Sequence, residues 1–131
     1  MLAEICLEEN NLVDAERLIG RALQCDAEDV FALGMNGLLS AKKGDFANAV
    51  KTLEIVTGMD SMSSNAYAYL GYALGLSGDE SKAIVAFDRA ETLASDNFRT
   101  PLLRSEVFRK AGKTKEAMAD AKTAKKRRRN R

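Results

Sequence analysis

The sequence predicts an all-α protein built as a solenoid of helix pairs. Two observations carry this. Alanines recur every 34 residues without a slip, at Ala15, Ala49, Ala83 and Ala117, and Ala22, Val56, Ala90 and Ala124 keep the same phase. A fixed period of this length marks stacked units that each need a neighbour to bury an apolar face. Within one period, 64–97, two apolar runs stand at helical spacing. They are Tyr67, Leu70, Tyr72, Ala73 and Leu74, then Ala83, Ile84, Phe87, Ala90 and Leu93. Ser77-Gly78-Asp79 separates them. Gly78 suits the left-handed conformation that ends a helix, and Asp79 can cap the next one.

Taken in order, the chain opens with a short helix over 1–9, a turn at Asn10-Asn11 and a second helix over 12–25. Met1 shares its phase with Met35 and Tyr69, so the chain opens inside a repeat. That fits either an excised piece of a longer array or a natural N-terminal cap. The polar link Asp26-Ala27-Glu28-Asp29 follows, with Asp29 as N-cap of a helix over 30–43. Gly44-Asp45 turns the chain into a helix over 46–58. After the link 60–64, capped by Ser63 or Ser64, come the pair 64–77 and 80–93. Thr100-Pro101 reads as an N-cap followed by proline in the first turn, opening a late last pair at about 101–111 and 114–128. The expected organisation is one domain over 1–131, with repeats at 1–29 (partial), 30–63, 64–97 and 98–131.

The residues Leu70-Gly71, Gly78-Asp79, Ala83, Phe87 and Ala90, with Tyr67 at the aromatic position, give the chain its likeness to a known family. It resembles the tetratricopeptide repeat (TPR) proteins over its whole length. The resemblance implies a right-handed superhelix in which Gly37 and Gly71 mark the close approach of two helices. Ala3 and Ser105 replace that glycine in the outer repeats, and Ala27, Ser61 and Ser95 stand where the family often has proline. Degenerate outer copies are usual at array ends.

Composition bounds the function. The 46% hydrophobic and 30% charged content is that of an ordinary globular chain. No apolar run is long enough to span a membrane, and the start is not a secretory signal. Cys6 and Cys25 make no disulfide framework; both fall on apolar helical positions and are expected as buried reduced thiols, pointing to a cytoplasmic setting. With no histidine there is no His-based triad and no His-ligated metal. No phosphate-binding G-x-x-x-x-G-K-[ST] loop is present. Gly34, Gly37, Gly71 and Gly75 lie inside helices, where close packing accounts for them. Glu8-Glu9 reads as a solvated face and Glu28-Asp29 as a cap. The chain is therefore expected to be no enzyme, without cofactor or metal, and to act by binding a protein or peptide.

Two surfaces are available for binding. By the family's phase, the first helix of each pair lines a concave groove. The lining residues are then Phe31, Met35, Leu38 and Lys42, followed by Asn65, Tyr69, Tyr72 and Leu76, and by Arg99, Leu103, Glu106 and Lys110. Met35, Leu38, Tyr69 and Tyr72 are expected to share one accessible apolar patch, the alternative being that the tyrosines pack between helices. Some family members clamp a carboxylate with lysines and asparagines. The matching positions here are Gly34, Leu38, Tyr69, Arg99 and Leu103, of which only Arg99 fits. Starting one repeat earlier gives Glu4, Met35, Asn65 and Tyr69, a worse match. The groove is closer to those taking an apolar or amphipathic peptide, as in chaperones of bacterial secretion translocators. The second surface is the end 122–131. It holds Lys122, Lys125, Lys126, Arg127, Arg128, Arg129 and Arg131 with no acid, leaving 13 basic and 19 acidic residues elsewhere. Such a cluster can bind nucleic acid or an acidic partner, or simply solubilise the last helix. Like-charge repulsion is expected to fray the helix near 128.

Overall fold

The computed structural model describes residues 2–130. Among them the chain forms eight helices and no strand. They are α1 (Leu2–Glu8), α2 (Leu12–Cys25), α3 (Val30–Lys42), α4 (Phe46–Met59), α5 (Ser64–Leu76), α6 (Glu80–Leu93), α7 (Arg99–Lys110) and α8 (Thr114–Arg129). Consecutive helices pair as hairpins, and α1, α3, α5 and α7 pack side by side as an inner layer. Each of α2, α4 and α6 packs on its own inner helix and on the next one, with α6 resting more loosely on α7 than α4 on α5.

Local chemistry repeats with the period. Within hairpins, Gly44, Gly78 and Gly112 take φ of +88°, +98° and +79°, and Asn10, in the same phase, takes +58°. Glycine enters this left-handed region without penalty, and asparagine is among the few other residues that tolerate it. The following N–H groups, of Asn11, Asp45, Asp79 and Lys113, reach back to the carbonyls of Cys6, Ser40, Leu74 and Phe108. That closes each inner helix in the same C-terminal motif. Asn11, Asp45 and Asp79 then cap the outer helix with their side chains, whereas Lys113 has the same backbone and no cap bond.

Between hairpins, Asp29, Ser63 and Asn97 stand one period apart, and their side chains accept from Phe31, Ala66 and Arg99 N–H groups. Asn97, and not Thr100, therefore serves the start of α7, which opens at Arg99. Thr100 is buried in the first turn, and its Oγ1 has no hydrogen-bond partner among the described residues. Pro101 is third in the helix, where an N–H would have no intrahelical acceptor, so the ring is tolerated there.

Gly37 and Gly71 do mark the closest approaches of their hairpins. A Cβ on Gly37 would meet Leu53 at 2.6 Å, and one on Gly71 would meet Phe87 at 2.9 Å. Gly75 is filled from the next hairpin by Val107, at 2.5 Å from such a Cβ. Ala15, Ala49, Ala83 and Ala117 are all buried. The expectation of two buried thiols holds only in part. Cys6 is buried, but Cys25 ends α2 facing solvent. The helix α8 runs to Arg129, within a residue of the expected end, and Arg127 and Arg128 have acidic partners on other helices. Met1 and Arg131 lie outside the described residues. No helix among the described residues is long and apolar enough to cross a membrane.

Candidate interaction groove

The inner layer curls. Two helices separate α1 from α7, yet Glu8 Oε1 lies 3.0 Å from Arg99 Nη2 and Glu4 Oε1 lies 2.9 Å from it. Arg128 on α8 reaches the other Glu8 oxygen at 3.0 Å. Side chains from the first and last hairpins thus meet across a concave face. Arg99 and Arg128 also sit over the Phe98 ring, at 4.6 and 4.8 Å from its centroid. Such cation–π contacts hold a guanidinium in place while its N–H groups face carboxylates.

The middle of this face is closed by packing. Tyr69, Tyr72, Met35 and Leu38 are 4%, 5%, 1% and 5% exposed. The accessible aromatic patch expected from their phase is not there: these side chains sit in the seams between adjacent inner helices. Leu103 is buried as well. The Tyr72 hydroxyl donates to Glu106 Oε2 at 2.8 Å, and Lys42 Nζ lies 5.2 Å from the Tyr72 ring centroid and 4.0 Å from Glu106. Burial, then the Glu106 charge and hydrogen bond, push the Tyr72 phenol well above its ordinary range. Burial, then Glu4, do the same to Tyr69. Of the expected lining residues, Phe31 is 46% exposed, and Lys42, Asn65, Leu76 and Arg99 are half-buried.

Two cavities remain on this face, and Tyr69 forms a wall of each. One, of about 220 Å³, lies between α3 and α5, with Gly34, Met35, Val56 and Tyr69 beneath and Phe31 and Asp60 at the rim. The other, of about 130 Å³, is bounded by Leu38, Lys42, Arg99, Glu106 and Arg128. A third hollow along the link edge shares Ser63 and Asn65 with the first and Arg99 with the second. Three adjoining hollows therefore lie between Phe31 and Arg99.

Arg99 is the one expected clamp residue, but the chain's own Glu4 and Glu8 already occupy it. Glu4 stands at a clamp position in the register one repeat earlier, but Glu8 was not legible as a groove residue: it reads as solvated, and 91 residues separate it from Arg99. The basic end is partly spent in the same way. Arg127 makes a bidentate pair with Glu91, at 2.6 and 2.9 Å, and donates to the Asn97 carbonyl at 3.0 Å. That bond to Glu91 raises the Arg127 pKa. Lys122, Lys125, Lys126 and Arg129 are exposed.

No protein-family model and no curated protein matches the chain. Solved structures do. The chain is similar to MamA MSR-1, with a TM-score of 0.59 and 19% identity over 98% of this chain and 74% of that one. It is similar to MamA AMB-1 with a TM-score of 0.60 and 21% identity, over 99% and 77%. A second AMB-1 crystal form gives 0.57 and 22%, over 95% and 74%. The fold is a TPR-like solenoid. At these identities the fold is what the proteins share.

Proposed function

We propose that the chain is a non-catalytic interaction module that takes an apolar or amphipathic peptide along its concave trough. The observation that carries this is the row of adjoining hollows from Phe31 to Arg99, with a half-exposed phenylalanine at one end. A large apolar side chain beside a formed hollow is how contact surfaces present an anchor point. Contacts come from Phe31, Asn65 and Leu76, while the Lys42 side chain, only 6% exposed, contributes shape. The buried tyrosines contribute shape to the walls. The test is co-purification from the source cell with mass spectrometry, using Phe31→Glu in the trough and Val85→Glu on the outer helix α6, where Val85 is 69% exposed. The trough variant is expected to lose the partner and the outer variant to keep it. Retention by Phe31→Glu would remove the groove from consideration.

A further inference from the structure

Gly34 differs from the other glycines of the inner helices. Gly37, Gly71 and Gly75 are each filled by a neighbour's side chain, so a Cβ there would collide at 2.9 Å or less. A Cβ on Gly34 would meet only Val56, at 3.7 Å, an ordinary contact. Helix packing therefore does not require glycine at this position, although glycine is the poorest non-proline residue for a helix interior. The Gly34 face opens instead into the cavity of about 220 Å³. Its missing side chain is part of that hollow.

The hollow is a side-chain pocket by size. It is roomier than a water site, since water occupies about 30 Å³ in the liquid. It is also below the roughly 300–1,000 Å³ of pockets that take whole small molecules. Gly34, Met35, Val56, Ala66 and Tyr69 give it an apolar interior. Its rim is acidic. Asp60 lines it, Asp29 caps the helix at its edge, and the adjoining hollow carries Asp96. None of these three carboxylates forms an ion pair among the described residues, and no cation lines the pocket. The guanidiniums beside the adjoining hollow are held elsewhere, Arg99 by Glu4 and Glu8 and Arg127 by Glu91.

We infer that the pocket between α3 and α5, kept open by Gly34, receives one apolar side chain of a peptide whose flanking residues are lysine or arginine. The inference rests on the groove reading above and adds the anchor and the charge of the ligand. Desolvation of the apolar side chain supplies affinity, and the acidic rim selects basic neighbours and speeds encounter.

A random-sequence peptide library displayed on phage, panned against the full chain, tests this. The enriched peptides are synthesised with a fluorescein label and titrated by anisotropy against wild type, Gly34→Ala and Gly34→Met. Enriched peptides are expected to pair an apolar residue with adjacent Lys or Arg. Gly34→Met, which fills the pocket, should weaken them about tenfold or more, the worth of one buried side chain. Gly34→Ala should melt higher by roughly 4 °C while binding no better than wild type. Helicity and melting of the Met variant confirm that it is folded. Acidic enriched peptides, or peptides that bind Gly34→Met as well as wild type, would overturn the pocket and leave the groove reading standing. A library that yields no binder overturns both.

Discussion

In the hairpin α5–α6 the two helices meet through apolar volume: the Phe87 ring lies against the bare Cα of Gly71. One period on, in α7–α8, the same positions hold Ser105 and Ala121. Ser105 returns its hydroxyl to the Leu102 carbonyl at 2.6 Å, and Ala121 is exposed. The apolar volume is gone, and ions replace it. Arg104 pairs with Asp120 through two bonds of 2.8 and 2.9 Å inside the hairpin, which raises the arginine pKa. Arg127 ties α8 back to Glu91 on α6. The turn glycines are alike in both hairpins, although only α6 has a side-chain cap, so the backbone pattern tolerates either way of joining its helices. An apolar joint stabilises in proportion to area removed from water, whereas an ionic joint must first offset the desolvation of its charges.

The largest expected effect tests the apolar joint. Phe87→Ala should destabilise the chain by about 3–5 kcal/mol in urea titration, while Ala121→Ser should stay within about 0.5 kcal/mol. Comparable losses for the two would contradict the contrast. The ionic joint comes next. Asp120→Ala leaves Arg104 partly buried without its partner and should cost about 2 kcal/mol. That is below the 3–5 of fully buried pairs because Arg104 keeps 24% of its side chain in solvent. Arg104→Met combined with Asp120→Leu should recover most of the loss. A double variant as unstable as the single one would show that apolar volume cannot replace the pair here.

The smallest effect concerns the seam between the two hairpins, where Tyr72 meets Glu106. Its phenol is raised in the folded state, so above the ordinary tyrosine range near 10 the unfolded chain loses the proton first. The stabilisation is complete below that pH and declines as pH climbs towards the folded value. The melting temperature should fall as pH rises above about 10, less steeply in Tyr72→Phe, measured by circular dichroism. An equal slope in both proteins would assign the fall to other groups, Tyr69 included.

The sequence by itself determined the repeat. The period, the left-handed turn positions and the capping residues are local chemistry, settled within a few residues of chain, and they place most helix ends within a residue of those observed. Even the missed cap, Asn97, is written there, one period after Ser63. Gly37 and Gly71 were legible because each faces a partner in its own hairpin. Gly34 looked the same in sequence, and only the hollow beside it in the fold sets it apart. Exposure on the inner face was decided by tertiary structure alone. The packing of hairpin on hairpin buries Tyr69 and Tyr72 and brings Glu4 and Glu8 to Arg99. A helical phase says which residues share a face. How far that face curls, and which distant charges it then brings together, depends on the packing of every hairpin between them.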